Sequence, residues 1–266
     1  MKTKTVDTPA GLTQSVSRAL SILRCFSDET PQLRVTDISQ MLDLTPSLVS
    51  RLLATLEHDG FVMRDSTTGM YGLGYAILTL SSVALNHNRL RMEALSEIQS
   101  ASRDVGLGVN LAVLDHDAIF YLAHVEVPEA PRAYTLIGRR NPLHATAMGK
   151  ILLAFLPDQA RQALLDQLTL TPYTVCTCTG PGCSAEEMDQ IRRQGWSLEM
   201  EELALGRACV AGPIRDQTGR IISALSFSGP LSQIRWESRR DELTHKIIEL
   251  CDRISMRLGY VTAPGM

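Results

Sequence analysis

The stretch Thr45-Pro46-Ser47-Leu48-Val49 constrains this chain more than any other. A helix-capping threonine followed by a proline already fixed at helical φ is a strong helix start. Val49, Leu52, Leu53 and Leu56 then follow at i, i+3, i+4, i+7, which is one apolar stripe along a helix that Gly60 ends. Upstream, 14–26 carries Val16, Ala19, Leu20 and Leu23 at the same spacing, predicting a first amphipathic helix. Between the two, Thr36 is expected to cap a short helix that turns Ile38, Met41 and Leu42 inward before the chain bends through Asp43 and Leu44. Downstream, 61–64 and 70–73 read as two short strands around the turn-rich 65–69. Three helices and a hairpin in this order predict a winged helix-turn-helix over 12–74, with the helix-turn-helix itself at about 36–56.

In that motif the second helix enters the major groove, so the face opposite its buried stripe must offer small, polar or basic groups. Ser47, Ser50, Arg51 and Ala54 form that face, flanked by Thr45, Pro46 and Thr55. Hydroxyls accept and donate, Arg51 reaches guanine or phosphate, and Ala54 permits close approach or contact with a thymine methyl. A solvated helix face has the same appearance, and it is the order of the surrounding elements that favours double-stranded DNA as partner. Charge does not add to the case. The net charge is −3, and residues 1–75 hold seven basic and eight acidic side chains, so one subunit neutralises few phosphates and a homo-oligomer is expected.

Residues 75–86 are helical in propensity but apolar on several sides, with Ile77, Leu78, Leu80, Val83 and Leu85. We read 75–88 as a linker and dimerisation helix, against the alternative of an ordinary buried helix. From 89 to 260 the texture becomes mixed. Helices are expected at 91–103, 144–155, 158–168, 184–194 and about 237–258, with strands at 109–114, 118–125, 196–200, 208–214 and 221–228. Ser184, three residues before Glu187, is the pattern of a capping box. The whole reads as α+β, an antiparallel sheet covered by helices.

No apolar run approaches the roughly 18 residues that a membrane span requires, and the first twelve residues are polar, so a cytoplasmic protein without a membrane partner is expected. Six scattered cysteines do not make a disulfide scaffold, and reduced thiols are the expectation. Cys176, Cys178 and Cys183 nevertheless crowd one loop, which opens a metal- or redox-sensing alternative, although the spacing is not a standard zinc knuckle and no fourth ligand is evident. Cys209 with His144 is a conceivable thiol-imidazole pair, yet neither lies in a recognised nucleophile motif. Neither an enzyme, a cofactor nor a bound metal is expected.

The runs SVSRALSILRCF, TPSLVSRLLATLEHDGFV and RDSTTGMYGLG, with PLHATAMGKILLAFLP and GRACVAGPIRDQTGRIISALSFSGP in the second half, resemble the IclR family of bacterial transcriptional regulators. The similarity spans about 14–258. It departs from the family pattern at Asp43, where glycine is common, and at Met70 and Gly72, where the wing lacks a frequent basic residue. The resemblance implies a C-terminal GAF-like effector-binding domain taking a small organic ligand, often a carboxylate. It also implies repression as the commoner mode, while the few phosphate contacts per subunit and the apolar surface of 75–86 predict a homodimer or homotetramer. By the same resemblance Cys209, Ser226 and Ser228 line the effector site, with Glu199, Arg207, Ala147 and Met148 nearby. The residues themselves agree in part, because Ser226 and Ser228 share one face of a strand, where a ligand or neighbouring backbone would satisfy them. Arg207 is either a carboxylate partner or a surface charge, and Lys150 reads as a pairing residue within the domain.

Overall fold

The computed structural model describes residues 11–126, 136–179 and 185–261. The chain divides into two compact units, Met1–His87 and Asn88–Met266.

The first unit contains α1 (Gln14–Leu23), α2 (Val35–Leu42), α3 (Pro46–His58), the antiparallel hairpin β1 (Val62–Arg64) and β2 (Tyr71–Leu73), and α4 (Tyr75–Asn86). Its core is Ile22, Cys25, Leu33, Ile38, Val49, Leu53, Leu56, Val62 and Tyr71. The expected stripe of α3 is therefore the packing stripe, with Leu52 partly buried against the same core. In α1 the stripe is different. Ile22, with Ala19 and Leu23, faces inward while Val16 and Leu20 are exposed, and the helix ends at Leu23 rather than Phe26. The cap of α2 also moves: Arg34 precedes the helix and its amide donates to Asp37 Oδ2 at 2.8 Å, leaving Thr36 one turn position inside. Asp43 takes the left-handed conformation (φ 53°) that ends α2, as a small polar residue can.

The second unit is built on a six-stranded, wholly antiparallel sheet of order β5-β4-β3-β8-β7-β6. The strands are β3 (Gly108–Asp115), β4 (Ala118–Val125), β5 (Arg140–Pro142), β6 (Ser197–Met200), β7 (Arg207–Arg215) and β8 (Ile221–Pro230). One face packs on α5 (Arg89–Val105) and α10 (Trp236–Arg257), through Ile98, Val109, Leu111, Val210, Leu225, Phe227, Ile247 and Ile254. The other carries α6 (Ala147–Ala154), α7 (Asp158–Leu165) and α8 (Ala185–Gln194), over Ala112, Ile119, Tyr121, Ala211 and Ala224. This is the expected α+β arrangement. The sequence did not announce the short strand β5 or α9 (Leu231–Ile234). The reading of Ser184 as a cap lies outside the described residues.

One irregularity positions the site. Between β3 and β4, Asn110 pairs with His124 and Ala112 with Tyr121, so β4 carries one extra residue, a β-bulge at Leu122. Alternation puts residues three apart on opposite faces. The bulge cancels one step, and Tyr121 and His124 end up on the α6 side while Leu122 and Ala123 both join the opposite core.

Candidate DNA-reading face and effector site

On α3 the side chains of Thr45, Pro46, Ser47, Ser50, Arg51, Ala54 and Thr55 are all exposed, opposite the buried Val49, Leu53 and Leu56. The face is small and nearly neutral. Thr55 Oγ1 donates back to the Arg51 carbonyl at 3.2 Å, and Arg51 is the one arginine or lysine of the helix. Two further cations were not singled out from sequence. Arg34 stands exposed before α2, and Arg64 lies on the wing with its guanidinium 5.7 Å from the Tyr71 ring centroid. The wing turn is stiffened by Asp65 Oδ1, which accepts from the amides of Thr67 and Thr68 at 2.8 Å; these bonds hold its carboxyl below the usual range.

In the second unit the α6 side of the sheet is apolar at one end and polar at the other. Ser226 and Ser228 of β8 are buried and face the same way, as their spacing predicts. Among the described residues neither hydroxyl is tied to neighbouring backbone. The amide Nδ2 of Asn110, itself 3% exposed, donates to Ser226 Oγ at 3.2 Å and to Ser228 Oγ at 3.0 Å. Asn110 Oδ1 lies 2.6 Å from His124 Nδ1, and His124 Nε2 lies 3.2 Å from Glu126 Oε1. A continuous row of polar groups thus crosses three strands. Beside it stands Tyr121, whose hydroxyl accepts from Asn141 Nδ2 at 3.1 Å and is pushed by burial to about 12.

The first turn of α6 lies over this face. Thr146 caps it by accepting from the Gly149 amide at 3.1 Å. The amides of Ala147 and Met148 meet no acceptor among the described residues, so two donors at the positive end of a buried helix remain available. Gly149 has to be glycine: a Cβ there would lie 2.2 Å from the Leu143 carbonyl oxygen. His144 lies just before this cap, its Nε2 facing the Thr171 carbonyl at 3.1 Å. Lys150 does pair within the domain, with Glu187 Oε1 at 2.8 Å and Glu202 Oε1 at 2.5 Å.

The remaining expected site residues divide. Glu199 is buried, but its Oε1 accepts from the amides of Glu202 (2.7 Å) and Leu203 (3.1 Å), so it clamps the turn after β6. Burial pushes its carboxyl up. Burial and the Glu199 charge push the Cys209 thiol well above its ordinary range, and Cys209 hydrogen-bonds Glu199 rather than His144. Arg207, at the start of β7, is exposed, yet its charge reaches Tyr121, His124 and Cys209. It stands at the rim of the polar end. Sequence reasoning missed Asn110, Tyr121, His124 and Asn141, although an asparagine inside GVNLAVL and a histidine inside IFYLAHV are polar interruptions of otherwise apolar runs.

Six reduced cysteines are not what the structure holds. Cys25, Cys176, Cys209 and Cys251 are free, but Cys178 is disulfide-bonded; Cys183 lies outside the described residues. A sulfur in that bond supplies no thiolate to a metal, and among the described residues no group of three or more His, Cys, Asp or Glu is placed to hold one. Among the described residues no helix is long and apolar enough to cross a membrane.

Residues 15–66 match the IclR helix-turn-helix domain, and residues 82–256 match the bacterial transcriptional regulator IclR C-terminal domain. The chain is 35% identical over 221 residues to the HTH-type transcriptional regulator XynR of Escherichia coli K12, covering 83% of this chain and 88% of that one. It is 31% identical over 252 residues to the acetate operon repressor of Salmonella typhimurium, covering 94% and 91%. Among solved structures, an IclR homolog from Microbacterium hydrocarbonoxydans in complex with 4-hydroxybenzoate matches with a TM-score of 0.79 at 25% identity, over 92% of this chain and 98% of that one.

Proposed function

Since the chain belongs to the IclR family of bacterial transcriptional regulators, we propose that it is a cytoplasmic repressor that binds operator DNA as a homodimer or homotetramer and is controlled by a small organic acid. Its relatives are regulators, not enzymes, and several are repressors. The α3 face from Thr45 to Thr55 reads bases, with Arg51 as its principal contact, while Arg34 and Arg64 hold phosphates. A single subunit offers only these few cations, so two copies are needed to bind tightly.

The observation that carries the effector reading is the row of buried hydroxyl and amide groups beside the first turn of α6, where the Ala147 and Met148 amides have no acceptor among the described residues. An anion is the ligand that such a site favours: helix-terminal amides and hydroxyls donate without bringing a full opposing charge. The carboxylate lies between Ala147, Met148, Ser226 and Ser228, the ligand body rests on Cys209 and Tyr121, and Arg207 guards the rim. Glu199 supports the turn rather than touching the ligand. The relative solved with 4-hydroxybenzoate lends the same ligand class. The test is a thermal-shift panel of aliphatic and aromatic acids, followed by gel shift on the chain's own promoter region. A specific acid should raise the melting temperature and change operator affinity. Stabilisation by amines or sugars but by no acid would sink the ligand class.

A second reading, redox control through Cys176, Cys178 and Cys183, is favoured by one observation. The loop bearing Cys176 and Cys178 is fastened to the turn after β6 by Thr174 Oγ1 on the Glu201 carbonyl (2.5 Å) and Thr177 Oγ1 on the Glu202 carbonyl (2.6 Å). Operator affinity that changes with dithiothreitol alone, and no longer does in Cys178→Ser, would support it.

A further inference from the structure

We infer that His124 couples the uptake of an anionic effector to the uptake of one proton, by setting which way the side-chain amide of Asn110 points. The inference rests on the reading that the effector carboxylate lies against Ser226 and Ser228.

Both ring nitrogens of His124 face oxygen in the arrangement described above: Asn110 Oδ1 at 2.6 Å and Glu126 Oε1 at 3.2 Å. A neutral imidazole has one donor and one lone pair, so it cannot satisfy both; an imidazolium can. That arrangement therefore belongs to protonated His124. The charged state has a cost, because the side chain is only 9% exposed.

Neutral His124 has an alternative that satisfies both its ring nitrogens and needs no new space. An amide turned by 180° occupies the same volume. With Asn110 turned, its Nδ2 donates to the lone pair of Nδ1, Nε2–H donates to Glu126, and Asn110 Oδ1 accepts from the hydroxyls of Ser226 and Ser228. In each state both ring nitrogens of His124 and the Asn110 carbonyl oxygen have partners, but the serines change sign. With His124 protonated, Asn110 donates to the two oxygens and both hydroxyl hydrogens are free for a ligand. With His124 neutral, both hydrogens are spent on Asn110.

An anion between Ser226 and Ser228 requires those hydrogens, and so favours the protonated state. By linkage the anion raises the proton affinity of His124, and a proton is taken up on binding. Among the described residues, the charged groups that act on His124 are Glu126 of its own chain segment, which raises its pKa, and Arg207 of β7, which lowers it; Asn110 of β3 is neutral. Burial dominates and holds His124 below its ordinary value in the free protein. Gly108 leaves the room this row needs, since a Cβ there would meet Ser228 Oγ at 3.2 Å and both Glu126 carboxylate oxygens at 3.3 Å.

The experiment is a histidine-ring NMR titration of the full-length protein, with His124→Gln to assign the signal, in the absence and presence of 4-hydroxybenzoate at millimolar concentration. The free protein should show a neutral His124 near pH 7 in the Nε2–H tautomer. The ligand should raise its pKa, and affinity should fall by up to about tenfold per pH unit between about pH 6 and 8. His124→Gln should bind with affinity independent of pH in that range. A free protein whose neutral His124 is the Nδ1–H tautomer overturns the relay. So does an unmoved His124 pKa when the ligand shifts the Ser226 and Ser228 signals. If the ligand leaves both serine signals unmoved, the carboxylate placement and the coupling built on it fall together, and the tautomer measurement still decides the relay itself.

Discussion

Lys150 and Glu202 hold each other across the α6 side of the sheet, ammonium to carboxylate at 2.5 Å, with side-chain exposures of only 4% and 12%. Glu187 joins them from α8 at 2.8 Å. Burial pulls the Lys150 pKa down, and the two carboxylates more than offset it, keeping the ammonium above its ordinary range. For Glu202 burial wins over the ion pair and its pKa rises. The triad thus ties α6, α8 and the turn after β6 together beneath the proposed effector site.

Removing the lysine should strand two carboxylates in the domain. Lys150→Met is expected to cost about 3 kcal/mol in urea unfolding, because an uncompensated buried charge is left behind. Adding Glu202→Gln should restore part of that loss. A Lys150→Met loss below about 0.5 kcal/mol would mean the pair is as weak as a surface bridge.

Arg51→Ala should lower operator affinity by about 1–3 kcal/mol per half-site while leaving the melting temperature unchanged, since the side chain is exposed and its loss opens no cavity. Fluorescence anisotropy with a labelled promoter fragment, beside calorimetry, checks both halves. Unchanged specific affinity would identify another face of α3 as the reader.

Where local pattern and packing agree, the structure was legible in advance. Thr45-Pro46 and the Val49 to Leu56 stripe, the strands from Gly108 to Val125, and the shared face of Ser226 and Ser228 all follow from periods of 3.6 and 2. The first helix was misread because Val16 and Leu20 are as apolar as Ile22, and period alone does not say which apolar residue has a partner. The polar row was missed for a different reason. Tyr121 and His124 share a face only because of the bulge at Leu122, a single extra residue that alternation cannot reveal. Arg34 displaced Thr36 as the cap because Asp37 supplies the capping bond from inside the helix.

Val16 and Leu20 are exposed on α1, and Tyr75, Leu78, Leu80 and Val83 are exposed on α4, which buries no residue within the chain. Such a surface suits a second copy. Leu78→Glu with Val83→Glu should reduce the molar mass seen by light scattering and weaken operator binding at least tenfold, without lowering the helix content. An unchanged mass would remove α4 from the subunit interface.

Glu199 gives the domain a pH dependence with a definite sign. Burial raises its folded-state pKa above the ordinary value, so the folded chain holds this proton more tightly than the unfolded one. Its contribution is therefore complete below the unfolded pKa and is lost as pH rises through the raised folded value. Relative to wild type, Glu199→Gln should gain stability as pH climbs from about 4 to 7. A constant difference in melting temperature across that range would show that Glu199 titrates normally.

The serines decide whether sensing and DNA binding are separable. Ser226→Leu or Ser228→Leu adds volume to a buried position lined by Asn110 and, for Ser228, Gly108, where packing leaves little slack. Each should fill the space of the carboxylate. A ligand alters operator affinity only through its different affinity for the two states of the regulator, so blocking it removes the response and nothing else. The leucine variants should bind the operator with wild-type affinity and ignore the acid that shifts the parent. The alanine variants, which keep the space and lose one donor each, should bind that acid about tenfold more weakly. Comparing the two sets separates occupancy from hydrogen bonding: leucine variants that respond normally would put the ligand elsewhere, and alanine variants that lose operator binding would make the hydroxyls part of the fold.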